Sequence, residues 1–484
     1  MESISAIKVK PVLFVIFFAL ISTTSFANEA EKRTSLKDQK SVAVTIYNEN
    51  LALIKDQRTI KLDKGFNLLA FRGVSAKMRA ETALLRNLNK AELNVIEQNF
   101  DFDLLTPQKL LEKYVGKQVQ IASMNPATGE EKIDTATILS TNQGVVVQID
   151  DRIETNPRGR YIFDKLPENL RDQPTLVIQL NSSTAKPQDV ELSYLSGGLS
   201  WKADYVAELN ANDDKLDLVG WVTLNNTSGT SYNNAKLQLV AGDVNVVKNK
   251  FRKIARAEMA VMEMAADAPA MQQESLFEYH LYSLNRPTTI ADKQKKQVSL
   301  LSATQVPVNK EFLLQGSNYY YQSSYGDIGQ KLKVGVFVEF KNKEKSGLGM
   351  PLPKGVVRVY KKDKSGNAQF IGEDNIDHTP KNEDVRLKLG DAFDITADKK
   401  QTSFKKRNAY GKYNYAYESS YQVKIKNAKS EAVTVVVREP IPGDWKIEAE
   451  SHKHKKVAAG TAEWHIKVPA EASTTLEYTA LVRY

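Results

Sequence analysis

The chain has 484 residues, a formal net charge of +9, 42% hydrophobic and 26% charged residues, and no cysteine. That length is enough for about two to four domains with cores of their own, and that composition excludes a disordered chain. The missing cysteines exclude disulfides, thiolate metal sites, a cysteine nucleophile and lipoprotein-type acylation.

Lys8 and Lys10 precede an apolar run at 12–21, and Ser25-Phe26-Ala27 puts small residues where a signal peptidase reads. This pattern predicts a secretory signal over 1–27, with an uncleaved anchor as the alternative. The run is shorter than the ~20 residues of a spanning helix, and no later stretch is long and apolar enough to cross a bilayer. The expected location is the periplasm or another exported compartment. There the dispersed positive charge reads as a solvated basic surface, or as attraction to anionic envelope polymers, and not as a nucleic-acid interface.

Residues 28–40 are polar and read as a flexible N-terminus. Alternation begins at Val42, Val44 and Ile46 and continues through 51–54, 58–62, 66–71 and 93–100, the period of half-buried strands. Thr106, Pro107 and Gly116 bracket one short helix. Short strands at 117–121, 136–139, 144–149, 161–163 and 175–180 predict a small, closed or partly closed β-unit over 116–180. Strands at 190–195, 203–209, 216–224 and 236–240 follow with sandwich patterning. Alternation stops over 248–275, which is basic and then rich in Ala and Met, and reads as a mobile insert or a loosely held helix. It resumes from 278 through 333–340, 356–360, 420–426, 432–437 and 475–482. The fold class expected is mainly β, with several domains of antiparallel β-sandwiches, a β-barrel-like subdomain and few short helices. The expected division is an N-terminal β domain over 41–184 and a sandwich region over 185–484.

Four stretches have a further property. They are Tyr194 to Tyr205 around Gly197-Gly198-Leu199-Ser200-Trp201, Leu224 to Val244, Phe277 to Leu301, and Leu352 to Tyr360 with Ile371-Gly372-Glu373-Asp374 and Leu389-Gly390-Asp391-Ala392-Phe393-Asp394. In this order they resemble the bacterial domain-of-unknown-function family numbered 4139, which has mucoidy-inhibitor-like relatives, over about residues 185–484. The resemblance implies an exported β-rich protein with no assigned reaction and no catalytic residues to carry over. Many relatives carry a long coiled coil before the domain. This chain has β patterning there, so a coiled-coil scaffold role does not transfer.

Candidate chemistry is sparse. If 446–455 is extended, Glu448, Glu450, His452 and His454 share one face, a pattern that suits zinc or copper. Glu278 and His280 would share a strand face in the same way. Met259, Met262, Met264 and Met271 supply soft thioethers, or merely a plastic helix. Tyrosines gather at Tyr319, Tyr320, Tyr321 and Tyr325 and again at Tyr410, Tyr413, Tyr415, Tyr417 and Tyr421, where alternation puts the rings of Tyr413, Tyr415 and Tyr417 on one face, as a ladder or as a platform for a sugar or a partner protein. No phosphate-loop or nucleophile-elbow motif is present, and no cofactor is expected. Two readings follow. One is a non-enzymatic binding or assembly module for an envelope protein or glycan. The other is an exported hydrolase or metal-dependent enzyme sited near Glu278/His280 or His452/His454.

Overall fold

A computed structural model of the chain describes residues 31–167, 170–242, 244–245, 271–409 and 411–484. The expected signal segment and residues 248–270 of the expected insert lie outside the described residues. The structure is 64% strand and 5% helical, in several sheets, and among the described residues none closes into a barrel.

Residues 31–40 are tied down rather than flexible. Glu31 accepts the guanidinium fork of Arg171 at 2.8 and 3.0 Å, and Ser35 and Asp38 form a capping box. Lys32–Thr34 adds parallel to the strand Gly65–Arg72. The segment is held by ion pairs and a cap, which hydrophobic patterning does not register.

Val42, Val44 and Ile46 of Gln39–Tyr47 are buried, and Leu51–Lys61 pairs back on them antiparallel. The turn at 63–65 carries the chain to a second sheet, in which Gly65–Arg72, Thr175–Ser182 and Leu93–Asp101 pair. Ile46, Ile54, Phe71, Leu176 and Ile178 belong to one hydrophobic core. Thr175–Ser182 is therefore no part of the small unit in which spacing placed it. Its apolar run is buried along both faces, as suits a central strand.

The small unit is an open antiparallel sheet of five strands, Arg152–Thr155, Val146–Ile149, Glu131–Ser140, Gln118–Met124 and Arg160–Ile162, whose end strands do not pair with each other. Helix Pro107–Lys113, capped by Thr106, adds Leu111 to a separate core with Ile121, Ile138 and Val147.

Pro187–Ser196 pairs with Leu51–Lys61, but Leu199–Leu209 pairs with Lys215–Asn226 in another sheet. The chain changes sheets at Gly197-Gly198. Gly198 has φ +83°, and a Cβ on it would stand 2.7 Å from Ser228 Cα, so only glycine fits this crossing. Tyr232–Ala241 then lies parallel to Gln39–Tyr47. Strands 39–61 thus fill a slot between Tyr232–Ala241 and Pro187–Ser196, and one sheet and one core run across position 185. The expected insert ends earlier than 275: Met271 is in the core, and Gln272–Leu276 is already a strand.

Gln294–Gln315 leads from the middle of the molecule to its C-terminal sandwich. It pairs first with Lys215–Asn226 and then with Asp327–Lys341 and Val433–Pro440. In that sandwich Asp384–Arg407, Ala416–Asn427 and Ala472–Arg483 are adjacent in one layer, while Val433–Pro440 and Thr461–Val468 pair in the other. Tyr421, Val423, Trp464 and Tyr478 pack between them.

Three asparagines close three strands in the same way. The Nδ2 of Asn226 donates to the carbonyls of Thr230, Ile290 and Ala291 at 2.9–3.1 Å. Asn342 Nδ2 reaches Met350 and Pro380 at 2.8 and 2.9 Å. Asn427 Nδ2 reaches Glu431, Pro469 and, at 3.4 Å, Val468. All three side chains are buried.

Candidate functional site

Strand alternation sends Tyr417, Ser419 and Tyr421 of Ala416–Asn427 to the inner face of the C-terminal sandwich. Tyr421 stands opposite Gln401 and Tyr478, and Tyr417 opposite Lys406 and Val482. Cover falls away along this column. Tyr421 is 1% exposed, Tyr417 is half-buried, and Tyr415 is 61% exposed. The inner aromatic face therefore continues into solvent at one end of the sandwich.

The rings are ordered there. Tyr415 and Tyr417 are parallel within 2° at 6.5 Å, and Phe404 stacks on Tyr417 from the neighbouring strand at 5.4 Å and 25°. Tyr484 meets Tyr417 at 6.0 Å, and its backbone pairs with that of Tyr415. Lys406, exposed and directly opposite Tyr417, brings a cation to the same face.

Tyr413 does not join the ladder. It precedes the strand, where alternation no longer dictates direction. Its hydroxyl donates to Asp444, and Lys412 lies 5.2 Å from its ring centroid. That hydrogen bond to a carboxylate raises the phenol's pKa and lowers that of Asp444. The other tyrosine group divides too. Tyr319, about half exposed, touches Tyr320 and Tyr325, whereas Tyr320 and Tyr321 turn into the core.

The histidine stations are taken up by structural bonds. Asp444–Glu450 ends where the extended reading needed it to continue, and the chain bends through 451–454. Glu450 Oε2 accepts from His454 Nδ1 at 2.8 Å, from the His454 backbone at 3.1 Å and from Trp464 Nε1 at 2.9 Å. His452 Nδ1 is instead 2.9 Å from Ser451 Oγ. Glu450 and His454 meet, and His452 stays apart. Glu278 lies in the turn between Gln272–Leu276 and Tyr279–Ser283, so it does not share a strand face with His280. The His280 ring bonds Gln273 at 2.9 Å. Met259, Met262, Met264 and Tyr410 lie outside the described residues. Among the described residues no three His, Asp or Glu side chains are grouped to hold a metal ion.

Sequence reasoning missed Phe404, Tyr484 and Lys406. Phe404 sits in a basic run, Lys399-Lys400-Gln401-Thr402-Ser403-Phe404-Lys405-Lys406-Arg407, where one aromatic among cations was the available signal. Its place in the ladder depends on pairing with a strand farther along the chain.

A family model described as "Domain of unknown function (DUF4139)" matches residues 190–484, which include the whole ladder and leave out strands Gln39–Tyr47 and Leu51–Lys61. No curated protein matches the chain.

Proposed function

The chain belongs to the DUF4139 family, a domain of unknown function, and we propose that it is a non-enzymatic exported protein of the cell envelope. In this reading its C-terminal sandwich binds an envelope glycan through Tyr415, Tyr417, Phe404 and Tyr484. The export part rests on the leader pattern at 1–27.

The observation that carries the binding part is the exposed end of the ring column. Tyrosine rings on a sheet are rigid and amphipathic, so they offer contact area at low entropic cost. The C–H face of a pyranose suits such a ring. Lys406, exposed and on the same face as Tyr417, is in place for acidic substituents of the sugar. The enzymatic alternative has less support, since His454 and His280 are each held by a structural hydrogen bond.

The test is co-sedimentation with purified peptidoglycan sacculi and with envelope polysaccharide coupled to beads. The wild-type protein is expected to be retained. The Tyr415→Ala/Tyr417→Ala variant is expected to bind about tenfold or more weakly, as loss of aromatic anchors does, with an unchanged melting temperature. Equal retention of both proteins, or none of either, rejects the reading.

A further inference from the structure

Deeper along the same inner face lies a group that glycan binding does not use. Lys399, on Asp384–Arg407, is 2% exposed, and Glu439, on Val433–Pro440 in the opposing layer, is 1% exposed. Lys399 Nζ stands 2.6 Å from Glu439 Oε1. The ring centroids of Tyr320, Tyr421 and Tyr478 lie 4.4, 5.0 and 5.8 Å from the nitrogen. Water is thus kept from an amine and a carboxyl already in contact.

The polar bonds around the pair form a closed circuit. Lys399 Nζ donates to Tyr478 Oη at 3.2 Å, Tyr478 Oη and Tyr321 Oη are 2.9 Å apart, and Tyr321 Oη donates to Glu439 Oε2 at 3.1 Å. A path of two phenols therefore joins the nitrogen to the carboxyl oxygen that it does not touch. Gly316 completes the enclosure: a Cβ there would stand 2.2 Å from Glu439 Oε2, so the carboxyl rests against bare backbone.

We propose that Lys399 and Glu439 condense to an intramolecular amide that joins the two layers of the C-terminal sandwich. The Lys399 nitrogen attacks Glu439 Cδ, a C–N bond forms, and the C–Oε2 bond breaks. An ammonium and a carboxylate become an amide and one water. Two protons leave the nitrogen along the Tyr478–Tyr321 path and depart with Oε2, and Oε1 becomes the amide oxygen. No oxidant, reductant or cofactor takes part. Burial favours the start of the reaction by lowering the lysine pKa, although the Glu439 charge opposes that shift. It also holds Tyr321 and Tyr478 well above the ordinary phenol value, so both stay protonated as the relay requires. The fixed contact supplies the proximity that such a condensation needs.

Intact-mass measurement of the purified full-length protein tests this directly. The folded protein is expected to be one water lighter than its sequence, and digestion is expected to yield the Lys399 and Glu439 peptides joined. With no cysteine in the chain, a disulfide cannot produce that joined pair. Lys399→Met and Glu439→Leu are expected at their full sequence masses, and Tyr321→Phe is expected to lose the water more slowly after refolding. A wild-type protein that keeps its full mass after prolonged storage in the folded state at neutral pH, with both peptides free, overturns the proposal.

Discussion

Asn226, Asn342 and Asn427 show how a single side chain can end a strand and hold the loop that follows. Each donates its amide to a backbone carbonyl of the loop that follows its strand, and buried carbonyls without partners are costly. Asn427→Ala removes the donor to Glu431, Val468 and Pro469 together. The expected cost is about 2–3 kcal/mol, read as a lower urea midpoint at unchanged slope. A variant within 0.5 kcal/mol of wild type (the usual range of surface substitutions, roughly) would mean that water replaces the amide. The sequence holds the pattern of this device but not its use. Val222-Thr223-Leu224-Asn225-Asn226, Val338-Glu339-Phe340-Lys341-Asn342 and Val423-Lys424-Ile425-Lys426-Asn427 share one pattern of valine, polar, apolar, polar and asparagine. Each valine and apolar residue was visible as strand alternation, but the asparagine only gains meaning from carbonyls far along the chain. Tyr413 shows the opposite limit, because a period of two was carried past the point where the strand begins.

At the scale of elements, alternation located most strands but did not name their neighbours. Residues 175–180 were read as a strand and assigned to the wrong sheet, since spacing along the chain says nothing about pairing across it. The shared face considered for Glu448, Glu450, His452 and His454 required 446–455 to be extended throughout, whereas the strand ends at Glu450, which accepts from Trp464 and His454 as the chain bends. Pairing also decides where charge is tolerated. Asp204 accepts from Thr223 at 2.9 Å, Arg358 at 3.1 Å and Lys202 at 3.2 Å, which ties Leu199–Leu209 to the strands on either side of it. Burial pushes its pKa up, but these partners outweigh that and hold it below the usual 3.8. A depressed carboxylate stabilises the fold above its unfolded pKa, and that contribution fades as pH falls through the folded value. Asp204→Asn is therefore expected to be less stable than wild type at pH 7 by about 1–3 kcal/mol. The two should converge as pH falls below the ordinary aspartate value, about 4, in urea unfolding across pH. A gap of constant size at every pH would show that the charge is not what holds these strands.

For the whole molecule, the family match and the fold divide the chain at different places. The match begins at residue 190, yet Gln39–Tyr47 and Leu51–Lys61 sit between two strands inside the matched region. A fragment of residues 185–484 would leave Pro187–Ser196 and Tyr232–Ala241 with open edges and part of their core uncovered. It is expected to express insolubly, or to unfold without a cooperative transition in circular dichroism, and co-expression of residues 31–184 should restore it. A monomeric fragment that melts cooperatively on its own would show the slot to be dispensable. The boundary near 185 followed from composition and resemblance, and neither reports which strands share a sheet.

The same slot governs the order of assembly. Thr45 and Gln238, which bond across it, are 193 residues apart. The loop-closure entropy of that contact must be met before its pairing gives anything back, which places the chain among slow-folding, high-contact-order β proteins. The residues of the hairpin 39–61 are synthesised well before Tyr232–Ala241, the neighbour that covers one of its edges in the folded protein. Until that strand is made, the edge of Gln39–Tyr47 is open to pairing with another copy of the chain.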